Sequence, residues 1–216
     1  MDAKTTVTGT TKNLNEVKKK KVFTTKNMVM IAMFGAIAGV LMLFDFAIPI
    51  APGFMKIDLG DLPAILGTFM MGPIEGLLIC LVKLLVKLVI KGTTTAFVGE
   101  LSNFVVCAAY ILPSYFIYKS HKGKAGAVLS LAVGTIVVSI VAVFSNYFVM
   151  FPMYSNLYGM PMEAIIGMGT AINSRITNLF TMMLFAVMPF NIIKYGIVSV
   201  ITFFVYKRLK NVLFKN

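Results

Sequence analysis

The chain has 216 residues, 58% of them hydrophobic, with a mean hydropathy of +0.88 and a formal net charge of +12. That much apolar surface cannot be hidden by a globule of this size, which excludes a water-soluble domain. Charged residues make up only 13%, so the basic surplus is not that of a nucleic-acid binder, and the composition is that of an integral membrane protein.

Residues 1–27 are polar, with an unbroken basic run from Lys18 to Lys21, and form a flexible basic tail. Residues 28–44 are an apolar helix behind that positive flank. Asp45 and Pro49 follow without a small-residue cleavage pattern, which favours an uncleaved first membrane helix over a signal peptide. Residues 45–62 carry prolines, glycines and aspartates and read as a structured outer loop, with strand-like alternation over 54–59. A short apolar helix spans 63–71, and a third helix spans 74–90. A fourth covers about 100–118 and ends at the basic segment 119–124. The fifth covers 125–151 and is expected to stop at Pro152. Residues 153–172 form a polar-aromatic connector. The sixth helix runs from about Arg175 to Tyr206 with a bend near Pro189. The membrane domain is therefore 28–206, followed by a basic tail, 207–216.

Six alternating spans with the N-terminus in the cytoplasm put 14 of the 20 basic residues on that side. Both termini are then cytoplasmic. The remaining six basic and six acidic residues cancel, so the +12 marks topology.

Two cysteines, Cys80 and Cys107, lie in apolar runs and supply neither a disulfide framework nor a zinc site. His121 is the single histidine, and there is no G-x-x-x-x-G-K-[ST] phosphate loop. Histidine-dependent hydrolysis and P-loop ATP hydrolysis both fall away, and no metal or cofactor is expected.

Polar side chains at bilayer depth are costly and therefore functional candidates. Asn191 and Lys194 lie about 24 and 20 Å from Lys207 along the sixth helix, on one face. Asn146 lies about 33 Å from Lys124 along the fifth, which brings all three to one outer layer. They either meet a ligand there or bond each other and backbone carbonyls. Lys83, Lys87 and Lys91 recur every four residues, as a snorkelling stripe or as partners of Glu100 and the outer-loop aspartates. Glu100 suits a helix N-terminus or a ligand contact equally. Asp58 and Asp61 form a single D-x-x-D, weak support for metal chemistry, and Asp61 reads as a helix N-cap. In the first helix, Ala32, Gly35, Ala36 and Gly39 make a nearly flat face, for packing within the bundle or docking to another membrane subunit.

Four segments carry a family resemblance: D-L-G-D-L-P at 58–63, K-G-T-T-T-A-F-V-G-E-L-S-N-F at 91–104, S-N-Y-F at 145–148 and P-F-N-I-I-K at 189–194. Together they resemble the riboflavin-specific substrate-binding subunit (RibU type) of energy-coupling factor (ECF) transporters, over residues 28–206. The resemblance implies a six-helix, all-α membrane fold that holds the vitamin near the outer face. It implies that Asn146, Asn191 and Lys194 hydrogen-bond the flavin. A lid around Met55, Ile57 and Leu59 and a loop at Thr94, Thr95 and Ala96 would approach it. Ala32 and Ala36, with Gly35 and Gly39 beside them, would dock on a transmembrane coupling subunit (EcfT-like) driven by a pair of ATPases.

The expected protein is thus not an enzyme. It is a multi-pass cell-membrane subunit binding riboflavin, with FMN a second candidate ligand, and with no nucleic acid among its partners. The alternatives are a subunit for another vitamin, or a small membrane enzyme acting on a lipid-linked substrate through Asp58 and Asp61.

Overall fold

The computed structural model describes residues 24–93, 95–159 and 161–213. The basic tail expected at 1–27 lies outside them up to residue 23. From Thr25 onward that segment is already helical.

Helix α1 (Thr25–Leu43) starts where the Thr24 hydroxyl accepts from the Asn27 amide at 3.2 Å. The alternating loop becomes a two-stranded antiparallel hairpin, β1 (Phe46–Ala47) with β2 (Lys56–Ile57), in register Phe46 to Ile57. Helix α2 (Asp61–Met70) reaches Gly72, whose φ of 145° allows the sharp reversal into α3 (Pro73–Lys91). Proline opens α3 at a position where its missing N–H costs nothing. Helix α4 (Val98–Ser120) follows and packs along α5 (Lys124–Ser145).

Pro152 does not stop the fifth helix. A π turn, Asn146–Met150, precedes it, and α6 (Phe151–Tyr158) continues the same rod. Proline's ring collides with the carbonyl one turn back, and the extra residue of a π turn relieves the collision. The connector is not irregular throughout, since it also contains α7 (Met162–Thr170). The last rod starts at α8 (Leu179–Met182) rather than Arg175, because Asn178 and Thr181 form a reciprocal cap at 2.9 and 3.0 Å. A second π turn, Met183–Val187, precedes Pro189 in α9 (Met188–Leu213). The same device serves both prolines, and α9 extends past the membrane-domain boundary expected at 206.

Among the described residues, four helices are long and apolar enough to cross a membrane: Thr25–Leu43, Val98–Ser120, Lys124–Leu157 and Leu179–Arg208. The 19-residue α3 differs from them in carrying Glu75, Lys83, Lys87 and Lys91. At 10 residues, α2 is shorter than a span. Large apolar side chains face outward around the bundle, Val89 and Phe44 among the most exposed, as a lipid-facing surface requires. Inside, Ile79, Tyr110, Val138, Ala186 and Val198 are fully buried.

The small-residue face of α1 divides in two. Gly35 and Gly39 are buried against Val82 and Val86 of α3, so close that an added Cβ would collide with those side chains. Only Ala32 and Ala36 remain exposed. Gly35 and Gly39 therefore drop out of the expected docking face; they let α1 and α3 pack closely.

Candidate functional site

A cavity of 450 Å³ opens at the end of the bundle where α1, α3, α4, the first π turn, α6 and α9 converge under the hairpin. That falls within the range of about 300–1,000 Å³ typical of small-molecule sites. Its polar lining comes from α9 and the π turn together with the outer loop, α3 and α4. Asn191 and Lys194 line it from one helix and Asn146 from another, so the three groups placed at one depth by helical rise do meet. Asn146 donates Nδ2 to the Ala142 carbonyl at 2.7 Å, and Asn191 to the Val187 carbonyl at 2.8 Å. Each of these bonds uses one of the two N–H donors of its amide. Lys194 Nζ donates to Asp58 Oδ2 at 2.9 Å, and Asp58 Oδ1 accepts from the Gly60 amide at 2.8 Å.

The lysine stripe of α3 is paired along its whole length. Lys83 meets Asp61 at 2.5 Å, Lys87 meets Glu100, and Lys91 meets Asp45 at 3.1 Å. Side-chain exposure rises from 0% at Lys83 through 16% at Lys87 to 44% at Lys91, which sets the mouth of the cavity at the Lys91 end. Lys56 shares Asp45 at 3.5 Å. Partial burial pushes the Asp45 carboxyl up, but the Lys91 hydrogen bond and the charges of Lys56 and Lys91 outweigh it and hold the pKa below the usual carboxylate value. Glu100 also accepts from the Thr93 and Thr95 hydroxyls at 3.2 and 3.1 Å, tying the α3–α4 loop to the first turn of α4.

The apolar wall comes from Met42, Phe54, Met55, Val106, Tyr154 and Phe190. Phe54 stands edge-on to Phe151, with ring centres 6.1 Å apart, and 6.4 Å from Tyr154. Such walls suit the faces of a flat aromatic ligand, and the amides and ammonium suit acceptors and N–H groups on its edge.

Of the residues expected from sequence, Met55 and Thr95 line the cavity along with Asn146, Asn191 and Lys194. Ile57 does not; it is buried against Ala51 and Phe190, behind the wall. Leu59 packs on the main core. Ala96 is exposed and absent from the lining; it has a left-handed backbone, φ 43°, and Phe97 beside it has φ 67°. Thr94 lies outside the described residues.

Asp61 is not a capping residue. Gly60 occupies the cap position without a side-chain bond, while Asp61 is fully buried, paired with Lys83, and accepts from the Tyr195 hydroxyl at 2.9 Å. Asp58 and Asp61 are thus each held by an ammonium, the opposite of a site prepared for a cation. Asp61, Cys80 and Cys107 lie within 4.8 Å of one another, but the carboxylate is already committed to Lys83 and Tyr195.

Asn103, Phe54 and Tyr154 were missed by sequence reasoning. Asn103 stands in the resembling segment 91–104, which marked the region without singling it out. Phe54 opens the alternating segment 54–59 and Tyr154 follows Pro152, and neither alternation nor helical spacing says which aromatic side chain meets a cavity.

The pattern of the family described as "ECF transporter, substrate-specific component" matches residues 26–206. The riboflavin transporter RibU of Staphylococcus aureus (strain TCH60) is 32% identical over 200 residues, spanning 93% of this chain and 98% of that protein. The riboflavin transporter FmnP of Bacillus subtilis (strain 168) is 30% identical over 186 residues, 86% of this chain and 92% of that one. A solved structure described as the S component of a bacterial ECF transporter superposes with a TM-score of 0.69 at 32% identity, covering 88% of this chain and 98% of its own.

Proposed function

We propose, given that the chain belongs to the substrate-specific components of ECF transporters, that its ligand is riboflavin and that the cavity under the hairpin is the binding site. One observation carries this reading above the others: Asn146, Asn191 and Lys194 line a single 450 Å³ cavity from two separate helices. In it, Asn146, Asn191 and Lys194 hydrogen-bond the edge of the isoalloxazine ring. Met55 and the aromatic wall cover its faces. Thr95 and its loop approach the ribityl chain, whose hydroxyls suit threonine and backbone partners.

The protein sits in the cell membrane as six membrane-embedded helical segments, α2 the short one, with both termini in the cytoplasm. The basic residues at 1–27, 119–124 and 207–216 support that orientation. The neutralising pairs at Lys83 and Lys87 support a membrane-embedded α3, since a paired charge is far cheaper at depth than a bare one. The cavity then faces outward. The exposed Ala32 and Ala36 of α1 dock on a transmembrane coupling subunit, and its ATPase pair drives delivery.

The test is an absorbance spectrum of the purified chain followed by a riboflavin titration read by quenched flavin fluorescence. Co-purified or tightly bound flavin is expected. Binding of thiamine or biotin in its place, with none of riboflavin or FMN, would reassign the specificity.

A further inference from the structure

Behind the cavity wall, Asp61 has both carboxylate oxygens occupied. Oδ1 takes Lys83 Nζ at 2.5 Å, and Oδ2 takes the Tyr195 hydroxyl at 2.9 Å. Lys194 Nζ lies 3.5 Å from that same Oδ2 and 2.9 Å from Asp58 Oδ2. One ammonium therefore stands between two carboxylates and donates its hydrogen bond to the one that lines the cavity, Asp58. Asp61, Lys83 and Tyr195 do not line it, and Asp61, Lys83 and Tyr195 are buried.

The choice between the two carboxylates is electrostatic. In a buried setting an unsatisfied carboxylate attracts a nearby ammonium strongly, because little solvent screens the pair. Without Lys83, Asp61 would carry a bare charge 3.5 Å from Lys194. Without the Tyr195 hydroxyl, the oxygen nearest Lys194 would lose its donor. Either loss favours movement of Nζ from Asp58 towards Asp61, away from the cavity. With both in place, the alternating row Asp58, Lys194, Asp61, Lys83 is neutral overall, and Lys194 keeps its remaining N–H donors for a ligand.

We propose that Lys83 and Tyr195 are positioning residues for ligand binding: by saturating Asp61 they keep the Lys194 ammonium on Asp58 at the cavity wall. This rests on the reading of the cavity as the riboflavin site. It adds two residues that no ligand touches and a mechanism by which they act.

The test is a riboflavin titration of the purified full-length chain and its Tyr195→Phe, Lys83→Met and Asp61→Asn/Lys83→Met variants, each also melted thermally. Tyr195→Phe, which keeps the ring and its packing, is expected to weaken binding about threefold to tenfold, and Lys83→Met more than about tenfold. In the double variant Asp61 no longer has a charge with which to draw Lys194, so affinity recovers to within about threefold of the unaltered chain. A purely structural role for Lys83 would leave the double variant as weak as the single one, and that result would overturn the proposal. So would unchanged affinity in Tyr195→Phe, which decides the matter alone should Lys83→Met fail to fold. Failure of the ligand reading shows separately, as no riboflavin binding by the unaltered chain. The same ordering of variants is then expected with whichever vitamin that chain does bind, and its absence there overturns the proposal.

Discussion

Asn146 and Asn191 stand on different helices yet do the same thing: each turns its amide back onto its own helix, to Ala142 and Val187, while lining one cavity. Each also adjoins a π turn, Asn146 as the first residue of one and Asn191 four residues beyond the end of the other. The widened turns and the prolines after them fall where the cavity wall is built, a placement seen often for π turns at functional sites.

Replacing either amide should separate binding from folding. Asn191→Ala removes one side-chain hydrogen bond to the Val187 carbonyl, a cost of about 1 kcal/mol in stability, but is expected to weaken riboflavin binding more than about tenfold. Asn146→Ala should behave alike. Fluorescence titration and thermal melting of the same samples check both halves, and unchanged affinity would remove these amides from the site.

Lys194→Ala should cost both properties, because it strips a donor from the cavity and leaves Asp58 buried without its partner. A loss of about 3–5 kcal/mol is expected from breaking a buried pair on one side. Adding Asp58→Asn should recover much of the stability without recovering ligand affinity. A double variant that binds as well as the unaltered chain would show that Lys194 does not touch the ligand.

On α1, neighbouring small residues should give opposite phenotypes. Ala32→Trp projects from the exposed face and should abolish vitamin uptake by cells while sparing binding in detergent. Gly35→Ala drives a Cβ into Val82 and should destabilise the fold by about 1–3 kcal/mol, read as a lower melting temperature. Uptake that survives Ala32→Trp would show that this face does not dock.

Glu100 holds the α3–α4 loop through Lys87, Thr93 and Thr95, and Thr93 in turn accepts from the Thr95 and Phe97 amides. Glu100→Ala should therefore speed hydrogen exchange at those two amides and raise the ligand dissociation rate. Protection equal to that of the unaltered chain would mean that the loop is held by something else.

Much of this was legible from local pattern. Apolar runs separated by Pro, Gly and charges identified an all-helical membrane chain, although Pro152 misled because a π turn cannot be read from residue types. The four-residue spacing of Lys83, Lys87 and Lys91 announced one helix face, and helical rise brought Asn146, Asn191 and Lys194 to a common depth. These are properties of a single helix, fixed by a repeat that residue order alone specifies.

Which groups answer one another was decided only in three dimensions. Lys194 and Asp58 lie 136 positions apart in sequence, and Lys83 and Asp61 lie 22 apart. Nothing in either helix pattern distinguishes Asp58 from Asp61 as partner or cap. Likewise Ala32 and Gly35 share a small-residue motif, but the approach of α3 buries one and leaves the other outside. The chain's order determined what each helix could present. The packing of the helices against one another selected the partners, because a buried charge is stable only where another element brings its counterion.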